Sequence, residues 1–292
     1  VSDLSVSAAP CQTPSFVVDR IGDYAVARPE ARVEDCQACS GTGLVAKTIT
    51  DGGRSYEVVT PCARQKLIGR LQLFDNAHLP GVHASATFES FKPYGAEQDR
   101  ALRVAKEFAH TWPRTRGFVL AGPVGTGKTH LLASALKFAT IEKGVRAAYV
   151  EISLLYATIR RGFHEGKSGG EIIGPLSQVD LLAIDELGKG RGSPFELETL
   201  DELIARRYNA GKVTLFATNY SLRPPEENRA TGYATTAELK AEGKDSKLLC
   251  DRVGERVYSR LCEMCEFVEF STATKDYRRA RATVSRPSKS SP

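Results

Sequence analysis

No stretch of the 292 residues approaches the roughly 20 consecutive apolar positions that a membrane-spanning helix needs. The first twenty residues carry neither a basic stretch nor an apolar core, so no export signal is legible there and a cytoplasmic location is expected. Internal repeats are absent, and no N-K-x-D motif for reading guanine occurs. What is present is ordinary for a water-exposed globular chain: 41% hydrophobic and 26% charged residues. A chain of this length has room for one large α/β domain and a smaller module. Its seven cysteines read as thiols of a reducing compartment, with metal ligation weighed before disulfides.

Charge is uneven. The net charge is +5, and from Ser271 onward Lys275, Arg278, Arg279, Arg281, Arg286 and Lys289 face Asp276 alone, which equals the whole excess. Such an end suits contact with phosphates, although a solvated basic tail is the plainer reading beyond Val284. Residues 285–292 are Ser- and Pro-rich, with Arg286 and Lys289 as their charges, and are expected to be disordered.

The strongest local signal is Gly122-Pro123-Val124-Gly125-Thr126-Gly127-Lys128-Thr129, which fits G-x-x-x-x-G-K-[ST] at every fixed position. Glycines let successive backbone N–H groups face a polyphosphate. Lys128 adds a point charge for the β/γ-phosphates, Thr129 a hydroxyl for Mg²⁺, and the following helix its positive dipole end, with His130 in the first turn. The apolar run Gly117–Ala121 before the loop and the helix-like Leu131–Leu136 after it supply the strand-loop-helix context. A nucleoside triphosphate is expected to bind here, ATP rather than GTP.

Apolar runs at Phe118–Ala121, Ala147–Ile152, Leu181–Ile184, Val213–Ala217 and Phe267–Phe270 alternate with helical patterns, as strands buried in a parallel sheet do. Helices are expected over Ala101–His110, Leu154–Arg161 and Phe195–Tyr208. Residues 1–85 look different, with short apolar runs, frequent Gly and Pro, and helical periodicity only near Leu67–Leu73.

Leu181–Ile184 ends in Asp185-Glu186, a carboxylate for the Mg²⁺ shell followed by one suited to polarise a water. Asn219 closes the next buried strand and could orient that water. Arg252, Arg256 and Arg260 recur every four residues and are expected on one helix face, either as a plain basic surface or as an arginine finger toward a neighbouring subunit's nucleotide. Asp276-Tyr277-Arg278 offers a lid arginine to the γ-phosphate. Near the N-terminus, Cys36-x-x-Cys39 followed by Gly41 and Gly43 is half of a zinc knuckle; either Cys62 is a third ligand and Cys11, His78 or His83 the fourth, or the segment is a degenerate ribbon without metal. Cys262 and Cys265 are also spaced C-x-x-C but are expected to pack inward.

Taken in order, GPVGTGKTHL, LLAIDELG, RRYNAGKVTLFATN, GERVYSRL and DYRR resemble the DnaC/IstB-type AAA+ ATPases over roughly Thr87 to Arg281. The resemblance implies a parallel five-stranded sheet flanked by helices with a reduced helical lid. The implied domains are an N-terminal partner-binding module over residues 1–85, an ATPase domain over 86–284 and a basic tail over 285–292. Carried over by motif, Lys128 and Thr129 are Walker A, Asp185 and Glu186 Walker B, and Asn219 sensor 1. Arg260, or failing it Arg256, is the finger, and Arg278 is sensor 2. The family places DNA contacts on two elements that here hold Arg160, Arg161 and Phe163, and Ser193 and Phe195; aromatics beside cations suit base stacking. The implied partners are a hexameric DnaB-type replicative helicase, single-stranded DNA and further copies of the chain. A transposition helper acting on double-stranded DNA is the second reading and a P-loop small-molecule kinase the third. The stretch from Pro224 to Lys247 is longer than the family usually carries, and where relatives often show C-x-C, position 64 is Arg.

Overall fold

The computed structural model describes residues 14–222, 248–274 and 276–277. Cys11, the long stretch 224–247, Arg278 and the tail 285–292 lie outside them. The described residues fall into two compact units, one formed by the chain up to Ser85 together with Thr140–Val145, the other by Ala86–Ala139 and Arg146 onward.

The first unit is built from two hairpins and a helix. Strands β1 (Phe16–Ile21) and β2 (Tyr24–Pro29) pair antiparallel, as do β3 (Leu44–Asp51) and β4 (Arg54–Pro61). Neither hairpin is among the elements expected from the sequence. Its signal was Gly52-Gly53, a two-residue loop between Asp51 and Arg54 in which both glycines take positive φ, the backbone that a twisted two-residue hairpin turn requires. Helix α1 (Ala63–Asp75) extends the expected Leu67–Leu73 and buries Leu67, Leu71 and Phe74. The Asp75 carboxylate accepts the Ala27 amide at 2.8 Å, which ties the helix end to β2.

The second unit carries the parallel sheet expected from the sequence. Its strands are β5 (Gly117–Ala121), β6 (Ala147–Glu151), β7 (Leu181–Asp185), β8 (Val213–Thr218) and β9 (Cys265–Glu269), ordered β6-β7-β8-β5-β9. Every neighbouring pair is parallel. All residues of β5, β7 and β8 are buried, so the three central strands read as unbroken apolar runs. Helix α2 (Ala96–His110) precedes β5, and α3 (Lys128–Ile141), α4 (Ile152–His164), α5 (Gly169–Gln178) and α6 (Pro194–Asn209) connect the strands from β5 to β8. Helix α2 begins a turn before the expected Ala101, because its first turn, with Glu97, Gln98 and Asp99, carries no apolar signal.

Helix α6 starts where a capping box dictates. The Ser193 hydroxyl accepts the Glu196 amide, Glu196 returns the contact, and Pro194 sets the first φ. Its inner face, Leu200, Leu203 and Ile204, joins a core with Ile152, Leu155 and Ile159 of α4 and Phe216 of β8. Arg207 is also buried there, its guanidinium donating to Thr214 Oγ1 and to the carbonyls of Leu176, Val179 and Val213. A guanidinium can be buried only when its fork is satisfied in this way.

Two expectations are corrected. The arginine-bearing segment is not one helix: Gly254 takes φ 82 and divides it into α7 (Leu249–Val253) and α8 (Glu255–Met264). Arg252 therefore leaves the face shared by Arg256 and Arg260. Of the C-x-x-C pair only Cys265 is buried; Cys262 is exposed, since α8 turns Val257, Leu261 and Met264 inward instead. Among the described residues no helix is long and apolar enough to cross a membrane.

Candidate functional site

The candidate nucleotide site lies where the C-terminal ends of β5, β7 and β8 meet, the place where open parallel sheets take ligands. The backbone welds the ends together: Gly122 N–H donates to Thr218 O at 3.2 Å and Leu187 N–H to Ala217 O at 2.9 Å. The Thr218 hydroxyl reaches Leu187 O at 2.7 Å.

In the loop after β5, Gly122, Gly125 and Gly127 have φ of 129, 78 and 94. Side chains are excluded there twice over, by backbone and by space. A Cβ on Gly125 would lie 2.0 Å from the Asp276 carboxylate, and one on Gly127 would lie 2.4 Å from the Phe91 ring. Lys128 opens α3, and its buried ammonium donates to Gly122 O at 2.8 Å and Pro123 O at 2.6 Å. Thr126 braces the loop through Pro123 O at 3.0 Å, while Val124 stands exposed at the tip. Thr129 is half-buried beside Lys128. The His130 ring meets Thr87 O at 2.9 Å and Ser90 Oγ at 3.2 Å, and burial holds its pKa below the usual imidazole value. Phe91, Tyr94 and Tyr277 form an aromatic cluster alongside, with Tyr277 N–H donating to Gly125 O at 2.8 Å. That cluster carried no sequence signal, because Tyr277 lies more than 180 positions from Phe91 and Tyr94 in the chain.

Asp185 is buried at the end of β7 and held on both oxygens. Tyr149 of β6 donates to Oδ2 at 2.8 Å, and the Glu186 amide to Oδ1 at 2.8 Å. Burial and the neighbouring Asp185 charge raise the Tyr149 phenol well above its ordinary value, so it stays a donor. Glu186 follows in left-handed backbone, φ 54, with its carboxylate on Lys189. Asn219 is exposed just beyond β8. Lys128, Asp185, Glu186 and Asn219, spread over 92 positions of chain, thus come to one sheet edge. A buried carboxylate beside a threonine-bearing phosphate-type loop is a hard-oxygen donor set that fits Mg²⁺.

The arginines divide. Arg252 donates to the carbonyls of Gly188 and Gly190 and lies 5.1 Å over the Tyr220 ring, so it staples the loop after β7. Arg260 pairs with Asp201 of α6, and Arg256 is exposed. Both line a surface cleft with Tyr208, Ser259 and Glu263.

The aromatic candidates meet. Phe163, half exposed, packs edge-on against Phe195 at 5.9 Å, and the Arg160 guanidinium lies 5.9 Å over the Phe195 ring. Arg161 is exposed next to them. Ser193 is occupied as the helix cap, with Glu196 N–H on its hydroxyl. Buried Glu196 gathers the amides of Arg191 and Gly192 at 2.8 and 3.0 Å and pairs with Arg160 at 3.3 Å. Glu196 was readable as the fourth residue of the capping box Ser193-x-x-Glu196.

In the first unit, the thiol sulfurs of Cys36, Cys39 and Cys62 lie within 4.8 Å of one another, all buried. The Gly43 amide donates to Cys39 Sγ at 3.3 Å and the Gln65 amide to Cys62 Sγ at 3.4 Å. Amides aimed at sulfur favour thiolates, so this donor set fits a thiophilic ion such as Zn²⁺. Neither His78 nor His83 belongs to the cluster among the described residues; His78 is turned to Asn76 O at 2.8 Å.

Comparison with known proteins agrees with this geometry. The family model described as IstB-like ATP binding protein matches residues 70–227, more than half of the chain. The replicative helicase loader DnaC of Escherichia coli K12 is 26% identical over 151 residues, covering 51% of this chain and 61% of that protein. DnaC of Buchnera aphidicola subsp. Baizongia pistaciae is 27% identical over 162 residues, covering 54% and 63%. The chain thus spans less than two thirds of these relatives' length. A crystal structure of the DnaC helicase loader superposes with a TM-score of 0.53 and 28% identity, over 65% of this chain and 99% of that one. The chain belongs to the DnaC/IstB-type family of AAA+ proteins.

Proposed function

We propose that this protein is an ATPase that loads or remodels a ring-shaped replicative helicase on single-stranded DNA. The reading is supported most by one observation, the meeting of Lys128, Asp185, Glu186 and Asn219 at one sheet edge in a chain whose relatives are replicative helicase loaders. Lys128 and the loop amides would bind the triphosphate of ATP, and Glu186 and Asn219 would orient the attacking water. Mg²⁺, held by Thr129 and Asp185, would supply charge neutralisation at the β/γ-phosphates. Arg260 would reach a neighbouring copy's nucleotide, with Arg256 as the fallback, and Arg278 would act from the same chain. Arg160, Arg161, Phe163, Ser193 and Phe195 would form the strand-binding face.

Residues 1–85 would form the module that grips the helicase, stabilised by a structural Zn²⁺ on Cys36, Cys39 and Cys62, with Cys11 the remaining sequence candidate for a fourth ligand. That cysteine trio also weighs against the transposition-helper reading, whose members generally lack such a module.

The test joins hydrolysis to partner capture. Lys128→Ala should abolish binding of a fluorescent ATP analogue. Arg260→Ala should bind it normally but lose strand-stimulated hydrolysis, by as much as the ~10³–10⁵-fold that arginine fingers contribute elsewhere. The full chain should retain a hexameric helicase on a column. An Arg260→Ala protein with wild-type turnover removes the finger assignment, and failure to retain the helicase removes the loader reading.

A further inference from the structure

Gln98 is a polar side chain in the first turn of α2, yet it is fully buried. A buried side-chain amide is tolerated when both of its halves are paired. Here both are. Its Oε1 accepts the Tyr94 N–H at 2.8 Å. Its Nε2 donates to Thr126 O, 28 positions on in the phosphate-type loop, at 3.3 Å. The partners fix which way the amide faces, because an N–H only donates and a carbonyl only accepts.

A peptide unit is planar and trans, so its C=O and N–H point in opposite directions. A donor that holds Thr126 O on the α2 side therefore turns the Gly127 N–H away from α2. The restraint matters because Gly127, at φ 94 and without a side chain, does little to fix that direction itself. The preceding peptide is held in the same way, by Tyr277 N–H on Gly125 O at 2.8 Å. Glu97, next to Gln98, accepts Ser271 N–H at 2.9 Å and Ser271 Oγ at 3.1 Å, in the segment that leads to Tyr277. The loop's carbonyls are thus taken from outside. Among the described residues the N–H groups of Thr126 and Gly127 meet no acceptor. Successive backbone N–H groups with no protein acceptor are what an anion-binding nest requires.

We infer that Gln98 is a positioning residue for phosphate binding: by holding Thr126 O it presets the Gly127 N–H for a polyphosphate and spares the loop the ordering that binding would otherwise demand. It acts through the Thr126–Gly127 peptide and touches no phosphate. The inference rests on the ATP-binding reading above and deepens it by naming what keeps the loop in its binding form.

The experiment measures binding of a fluorescent ATP analogue to the full chain and its displacement by ATP or by inorganic tripolyphosphate, which has the phosphates and no base. Gln98→Met keeps the length of the side chain and loses both hydrogen bonds. Gln98→Glu keeps the shape and the acceptor for Tyr94 N–H, but sets an ionised carboxylate, which cannot donate, against Thr126 O. Both variants should weaken ATP and tripolyphosphate by a similar factor, about three- to tenfold, the size of one lost hydrogen bond between uncharged groups. In hydrolysis KM should rise while kcat at saturating ATP holds, as loss of uniform binding does. A purely structural glutamine would lower Tm and leave the folded protein's affinity for tripolyphosphate unchanged. The inference is overturned if folded Gln98→Met binds tripolyphosphate as wild type does, or loses kcat with its affinity intact. If the methionine variant does not fold, the glutamate variant decides by the same criteria. Should wild type bind the analogue while tripolyphosphate fails to displace it, the nucleotide reading stands and this inference alone falls. A wild type that does not bind the analogue at all removes both.

Discussion

The two units bury their residues in different ways. In the sheet unit, every residue of three adjacent strands is buried, and the core runs on through α4, α6 and α8. In the cysteine unit, β3 and β4 are exposed along nearly their whole length, with Leu44, Ile49, Tyr56 and Val59 open to solvent. Around the thiols the buried set is only Val33, Cys36, Cys39 and Cys62. That unit's other buried apolar residues include Ala25, Ala27, Leu71, Phe74, Ala77 and Leu79, which gather on β2, α1 and the turn after it, so the part around the thiols and the β3–β4 hairpin removes little apolar surface from water. The comparison teaches that one unit is held by a continuous core, while in the other the segment around β3 and β4 has little core and three convergent sulfurs suited to a metal cross-link.

The largest expected effect tests that contrast directly. Removing metal with a strong chelator, or replacing Cys36 with Ser, should unfold the cysteine unit. Structural zinc supplies about 10–16 kcal/mol of apparent folding free energy in small peptides. Nucleotide binding by the sheet unit should survive, and limited proteolysis with mass spectrometry would read both at once. Cleavage spread equally over both units would break the comparison.

Next in size is a pair of truncations. Phe216→Ala, at a fully buried site on β8, should cost about 3–5 kcal/mol in denaturant unfolding. Val59→Ala, 66% exposed on β4, should stay within about 0.5 kcal/mol. Similar losses for both would mean that the hairpin is covered in the folded protein.

The smallest effect sharpens the picture of the sheet unit. Burial on α3 pushes the Lys137 pKa down from 10.5 to about 8. Its folded value lies below its unfolded value, so the unfolded chain binds more protons between about pH 8 and 10.5, and stability rises with pH across that window. Below pH 8 the penalty is fully present. Lys137→Met should therefore stabilise the protein by about 1–3 kcal/mol at pH 7, and the gain should fade as the pH approaches 10.5. A stability difference between variant and wild type that is flat from pH 7 to 10 would count against that assignment.

Much of the site was legible along the chain because its chemistry is local. The phosphate-type loop needs glycine at three nearby positions, and their positive φ values carry the reason. The Asp185-Glu186 pair is readable as the end of an apolar strand, and α6 by its apolar stripe. Helix periodicity failed at Gly254, where the i, i+4 spacing of three arginines suggested continuity and one glycine broke it. Both hairpins were missed because weakly buried strands show little alternation; the turn Gly52-Gly53 was the surer sign.

Tyr149 on Asp185, Lys189 on Glu186 and Tyr277 against Phe91 had no comparable signal. Tyrosine two positions before a strand end, or lysine in a glycine loop, is common and carries no meaning until its neighbour across the fold is known. The sequence by itself determined the parallel sheet, the loop that suits a triphosphate and the acids beside it, because each is written in spacing along one segment. Only the tertiary structure decided which side chains restrain those acids and which sulfurs converge, because these depend on distances between segments that spacing cannot encode.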